Sequence, residues 1–119
     1  MLDAAAILLF SIGIAHSVLG ERYILIRLFR KSSLPPLFGG EEFTRQTLRF
    51  AWHITTVVWW GFAFILLNMD GDFDLRRLLL ATVTSVFSVS FLIALIASKG
   101  KHYSWVIFAA IAILCFLSI

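Results

Sequence analysis

Charge is scarce in this chain. Asp, Glu, Lys and Arg make up 14% of its 119 residues, against about 25% in a typical soluble domain, and whole stretches carry none. Cysteine occurs once, as Cys115, which excludes an internal disulfide and leaves the redox compartment unread. Both prolines fall within SSLPPLFGG, Ser32–Gly40, the one linker where proline and glycine together stop a helix. No basic segment precedes the first apolar run, which carries Asp3 near its start, so no removable signal peptide is expected. Neither H-x-x-x-H nor C-x-x-C spacing occurs, and no compact metal motif stands out.

What the chain does have is apolar surface. Hydrophobic residues make up 61% of it and the mean hydropathy is +0.95, too high for a soluble globule. The apolar residues come in blocks, which argues for membrane spans over one oversized core. The clearest block is Arg49–Leu67, RFAWHITTVVWWGFAFILL, in which Phe50 to Leu67 contains no acid or base. At about 1.5 Å per residue such a helix covers about 27 Å, close to the ~30 Å hydrocarbon core of a bilayer.

Leu2–Leu19, Leu78–Ala97 and His102–Ile119 are comparable blocks. The pattern predicts an all-α, integral membrane four-helix antiparallel bundle, a single domain over 1–119 with spans at about 2–19, 50–67, 78–97 and 102–119. Helices are required because a span must satisfy its own backbone polar groups. Residues 20–46 form an interfacial segment and linker. Gly20 is one candidate end for the first helix. The alternative is a helix that runs on through ERYILIRLFRK, its bases snorkelling toward phosphates. Glu41 and Glu42 suit the first turn of the second helix, at the positive end of its dipole.

Small residues four apart, Ser11/Ala15, Gly13/Ser17, Ala81/Ser85 and Ala94/Ser98, give seams for close helix approach, within the chain or between copies. The Thr/Ser stripe of the third span, from Thr82 to Ser90, reads as helix glue by the same principle. Asp70, Asp72 and Asp74 alternate like a calcium loop, but the closing glutamate is missing, which makes them a solvated turn.

The bases set the expected orientation. Arg22, Arg27, Arg30, Lys31, Arg45 and Arg49 lie in or beside the first loop, Lys99 and Lys101 in the third, and only Arg76 and Arg77 in the second. The positive-inside rule puts loops one and three in the cytoplasm and both termini outside. The same bases fit anionic lipid headgroups better than nucleic acid, because they flank apolar blocks.

That topology brings His16, His53 and His102 to one end of the bundle, with Glu21 one turn beyond His16. Polar residues just inside the apolar boundary are costly unless paired. Three imidazoles and a carboxylate are a donor set for zinc, copper or iron, and two histidines on separate helices suit haem. The other roles open to these histidines are helix-to-helix hydrogen bonding and proton handling. His16 and Ser17 are sequence neighbours and do not face each other, so they are no nucleophile–base pair. Trp52 and Trp105 fit an interfacial aromatic belt; Trp59 and Trp60 read as packing or lipid-facing.

The segments AHSVLGE, Ala15–Glu21, and LRFAWHITTVVWWG, Leu48–Gly61, resemble motifs of a family of small four-span bacterial membrane proteins. The resemblance implies a bacterial inner membrane and implies no activity. Small multidrug transporters share the size and span count but rely on a glutamate in their first helix, and Leu2–Leu19 has none. The sequence therefore leaves two expectations. One is a membrane protein whose His16, His53, His102 and Glu21 take a transition metal or haem. The other is a non-catalytic accessory subunit of a larger membrane complex.

Overall fold

The computed structural model describes residues 1–31, 33–37, 40–72 and 74–119. Within the expected linker, Ser32, Phe38, Gly39 and the side chain of Lys31 lie outside the described residues, as does Phe73 in the acidic turn. The described chain is helical: α1, Leu2–Leu19; a π-helical segment, Gly20–Leu25; α2, Ile26–Lys31; α3, Glu41–Asn68; α4, Leu75–Ala97; and α5, Ser104–Phe116. Three helical stretches, Leu2–Arg30, Glu41–Asn68 and Leu75–Ala97, are long and apolar enough to cross a membrane.

Boundaries moved where local chemistry overrode composition. Gly20 keeps right-handed helical angles, φ −61° and ψ −48°, so the first helix does not stop there. It widens into the π turn and continues into α2. Gly40 opens α3 at φ 89°, a conformation that glycine adopts without a steric penalty. α4 starts three residues earlier than its apolar block, because the Asp74 carboxylate accepts a hydrogen bond from the Arg76 backbone N–H at 3.0 Å. The expected span at 102–119 is trimmed at both ends. His102 Nδ1 lies 2.8 Å from Ser104 Oγ and accepts from the Ser104 N–H at 3.3 Å, which holds a turn before α5. After Phe116 the chain relaxes into short turns, Ser118 N–H to Cys115 O and Ile119 N–H to Phe116 O. The remaining 13 residues of α5 rise about 20 Å, less than the ~30 Å core.

Packing follows chain order. α1 packs on α3, α3 on α4 and α4 on α5, in an envelope of 52 × 32 × 16 Å. Four helices at about 8–10 Å spacing make a row about 30 Å wide, so this is an open layer and α5 does not close against α1. Neighbours run antiparallel. Phe10 and Gly13 meet Trp60 while Gly20 meets Trp52, and Phe87 meets Phe108 while Phe91 meets Trp105.

The burial pattern is the reverse of a soluble core. Ala6, Ala63 and Ala94 are fully buried, joined by Thr56, Thr82, Ser90 and Ser98, whereas Leu8, Ile96 and Phe116 are two-thirds exposed or more. Small residues at the seams and large apolar ones outward is the arrangement that lipid solvates. Of the small pairs, Gly13/Ser17 lies on the α1–α3 seam, while Ser11 faces outward and bonds its own helix at Ile7 O. The hydroxyls of Thr82, Ser90 and Ser98 donate to carbonyls four residues back, which satisfies them within their own helix.

Candidate functional site

The α1–α3 seam carries the one extended polar network that joins two helices among the described residues. Gly13, Ser17 and Glu21 recur every four residues, and Arg49, His53, Thr56 and Trp60 recur at three and four, so each set forms a stripe on one face of its helix. Close approach brings the stripes together. A Cβ on Gly20 would sit 2.2 Å from Trp52 Nε1, and one on Gly13 would sit 2.5 Å from Trp60 Nε1. Those two glycines are the space into which the indoles fit.

The network begins at the helix end with Arg49. Its Nη2 lies 2.9 Å from Glu21 Oε1 and its Nε donates to Glu21 Oε2 at 3.2 Å, a fork-on-fork contact. Glu21 Oε2 is also 3.3 Å from His53 Nε2. The other imidazole nitrogen, Nδ1, is 2.9 Å from Ser17 Oγ, which is in turn 2.9 Å from Thr56 Oγ1. Thr56, only 3% exposed, reaches Gly13 O at 3.4 Å. Five side chains thus run from the exposed Arg49 to a buried backbone carbonyl.

The direction of these bonds follows from what each atom can do. A carboxylate only accepts, so His53 Nε2 carries the hydrogen. In the neutral ring Nδ1 then accepts from Ser17, and the Ser17 oxygen accepts from Thr56. In the protonated ring Nδ1 donates to Ser17, Ser17 donates to Thr56, and Thr56 donates to Gly13 O. Rotation of two hydroxyls satisfies every group in both states.

His16 occupies a separate niche one face away. Its ring stacks on Trp52 at 4.5 Å and 2°, and meets Trp59 at 4.8 Å. Thr55 Oγ1 donates to Trp52 O at 2.6 Å and lies 2.9 Å from His16 Nε2, which makes that nitrogen the donor. Trp52 Nε1–H returns a bond to His16 O at 3.1 Å. Trp59, expected as packing or lipid-facing, is therefore a wall of this niche. His102 is elsewhere: it packs between Phe43 and Phe50 of α3, with Nδ1 taken by Ser104.

Of the four expected metal ligands, only Glu21 and His53 come together. Among the described residues no three His, Cys, Asp or Glu side chains are placed to hold one metal ion. The physical reason is that both His53 nitrogens and His16 Nε2 are already spent on neighbours, and the His102 ring packs on Phe43 and Phe50 instead. Ser17 and Arg49 are the members that composition alone passed over; the four-residue spacing to Glu21 and to His53 was the available signal.

An acid–imidazole–hydroxyl order also belongs to nucleophilic catalysis. Here Ser17 sits inside a helix whose N–H groups are used in its own ladder, so no backbone donors are aimed at a developing oxyanion. Compared with protein-family models, curated proteins and solved structures, the chain matches none.

Proposed function

We propose that this is a small integral membrane protein built around a proton-handling site, in which His53 takes up and releases a proton at the end of the α1–α3 seam. The observation that carries it is the Glu21–His53–Ser17–Thr56 chain, which stays fully hydrogen-bonded in either charge state of the ring. Imidazole is the side chain suited to change charge between about pH 5 and 8. At 29% exposure for both Glu21 and His53, interface water reaches the pair. The chain ends at Gly13 O and has no second exit, which favours a proton-responsive helix clamp over a conducting path. Flipping the hydroxyls transfers a bond onto an α1 carbonyl and alters how α1 is held on α3.

In this proposal Arg49 and Glu21 lie at the cytoplasmic face of a bacterial inner membrane, with N-out and C-out topology, as the distribution of bases favours. A transition metal or haem would have to displace the existing partners of His53 and His16, and among the described residues no three His, Cys, Asp or Glu side chains are placed for one metal ion. The test is ring ¹⁵N resonances in bilayers together with spin labels on Ile14 of α1 and Val58 of α3. A His53 signal that changes between about pH 5 and 8, with a label-distance change lost in His53→Gln, supports the clamp. A His53 ring that keeps one charge state throughout ends it.

A second reading, an accessory subunit of a larger membrane complex, draws on one observation: the long helices pack mainly on their chain neighbours in an open row, which leaves large apolar side chains such as Leu8, Ile96 and Phe116 facing outward. A larger assembly that survives mild detergent and holds this chain in fixed ratio would favour it. The same purification yielding only this chain would count against it.

A further inference from the structure

Past Ser17 the first helix shows α3 a different face from the one a regular helix would show. At about 100° per residue, an unbroken α-helix would bring Ile24 and Leu28 to within about 20° of the Ser17 face and turn Leu25 and Phe29 about 80° and 120° away. The structure has the opposite pair inward. Leu25 is 3% exposed, whereas Ile24 and Leu28 are 49% and 41% exposed. The Arg49 guanidinium lies over the Phe29 ring at 5.2 Å, within cation–π range. The π segment makes the difference. Ile26 N–H reaches back to Glu21 O, and that wide turn takes up one extra residue and resets the face of everything after it.

Both registers are supplied with apolar side chains, since Ile24 and Leu28 each stand one place before Leu25 and Phe29. α2 packs chiefly on the π segment itself, so little else opposes a rotation. Upstream, the Trp52 indole fills the space at Gly20 and holds α1. Across the turn one side chain reaches both ends: Arg49 grips Glu21 at its start and covers Phe29 beyond its end. We propose that residues 22–30 switch between two registers, the wide turn latched by Arg49 and a straight α-helix in which Ile24 and Leu28 replace Leu25 and Phe29. The latch opens when protonated His53 draws Glu21 away from Arg49. Among the described residues the charged groups at His53 are Glu21 and, through it, Arg49. The trigger rests on the proton-handling reading of His53; the two registers rest on the wide turn and the spacing. Straightening swings Arg27 and Arg30 about 100° around the helix axis, which re-aims the basic face at the end of the helix.

The experiment uses the full chain in bilayers with Cys115→Ala and spin labels at Arg30→Cys and Lys101→Cys, both exposed positions. The swing carries the Arg30 label about 8 Å, from the width of a helix. One label distance should dominate at about pH 8, and a second should appear at about pH 5. In Arg49→Gln the second distance should be present at both. Deletion of Tyr23 removes the extra residue, so a regular helix then keeps Leu25 and Phe29 on α3. It should leave one distance at both pH values, even combined with Arg49→Gln. A single distance at both pH values in the chain that retains Arg49 and Tyr23 overturns the proposal, and this comparison depends on no change near the turn. The ¹⁵N resonances of His53 in the same sample separate the two readings: if the ring changes charge while the distance stays fixed, the register switch fails and proton handling stands. A single distance in Arg49→Gln removes the latch and overturns the proposal. So does a second distance that survives deletion of Tyr23, which would place the motion in the linker. Helicity measured on each variant guards against misfolding.

Discussion

Glu21 and His53 stand 3.3 Å apart although thirty-two positions separate them in the chain. The carboxylate that touches the imidazole also grips Arg49 with two contacts, so one acid is shared by a guanidinium and an imidazole. Arg49 is 46% exposed in its side chain, and solvent discounts that ion pair. A Glu21→Gln, Arg49→Gln double-mutant cycle should give a coupling of about 0.2–1 kcal/mol. Zero coupling in reversible unfolding would leave the contact as geometry without energy.

Ser17 is the hinge of the network, and its loss should cost more than that of any other α1 hydroxyl. Ser17→Ala strips a partner from both His53 Nδ1 and Thr56 Oγ1. In a membrane protein the coupling between Ser17→Ala and Thr56→Val is expected near the typical value of about 0.6 kcal/mol. Ser11→Ala, which removes only an exposed bond back to Ile7 O, should stay within about 0.5 kcal/mol of neutral. Thermal unfolding in lipid separates the two, and equal effects would deny Ser17 its special place.

Composition made the helices and their apolar faces legible, because a charge-free run as long as Phe50–Leu67 matches the thickness of a bilayer and is rare in soluble cores. The ends were harder. Asp74 extends α4 by a cap, and His102 with Ser104 shortens α5 by a turn; both are side-chain bonds that hydropathy does not register. The site was half legible. His16 and His53 stood out as costly groups just inside a boundary, with Glu21 one turn beyond His16. Their grouping as one set with His102 came from counting which residues share an end, and sharing an end is weaker than sharing a face. Facing is set by the stripes Gly13–Ser17–Glu21 and Arg49–His53–Thr56. Those put Ser17 opposite His53 and send His16 round to Trp52 and Trp59.

The two seam glycines should differ in tolerance. At Gly20 an added Cβ meets three atoms of Trp52 at 2.2–2.6 Å, and that indole is fixed by its stack on His16 and its bond to His16 O. Gly20→Ala should therefore cost about 1–3 kcal/mol and shift Trp52 emission, and a second change, Trp52→Leu, should recover part of the loss. At Gly13 the main obstacle is Trp60, which is 37% exposed and held by a long bond of 3.4 Å to Phe10 O and a tilted contact with the Phe10 ring at 6.0 Å. That ring has room to swing, and Gly13→Ala should be the milder change. The reverse ranking in thermal unfolding would show that the tightness at Gly20 is relieved by α1 and not by the indole.

His102 tests whether an end of the layer behaves as one site. Its ring packs on Phe43 and Phe50 and its Nδ1 closes the turn before α5. His102→Ala should lower stability through lost aromatic contact, worth about 0.5–1.5 kcal/mol per pair, and should leave the ¹⁵N behaviour of His53 as it was. A changed His53 resonance pattern in that variant would join the two histidines after all and revive a shared site.

Whether α5 crosses the membrane decides the side on which the chain ends. Its 13 residues rise about 20 Å, some 10 Å short of the hydrocarbon core. The turns on to Ile119 remain apolar, with Leu117 and Ile119 exposed, so this end still presents apolar surface. A short span is accommodated by local thinning at a fraction of a kcal/mol per Å, whereas an uncrossed apolar helix has nowhere else to put its surface. A phosphatase fused after Ile119 should therefore be active outside the cell and a fluorescent reporter there dark. Fusions at Gly71 and Lys101 fix the frame, the first expected outside and the second inside. With those two as expected, a bright reporter at Ile119 would mean that α5 folds back at the cytoplasmic face and that the membrane is crossed three times, by α1, α3 and α4.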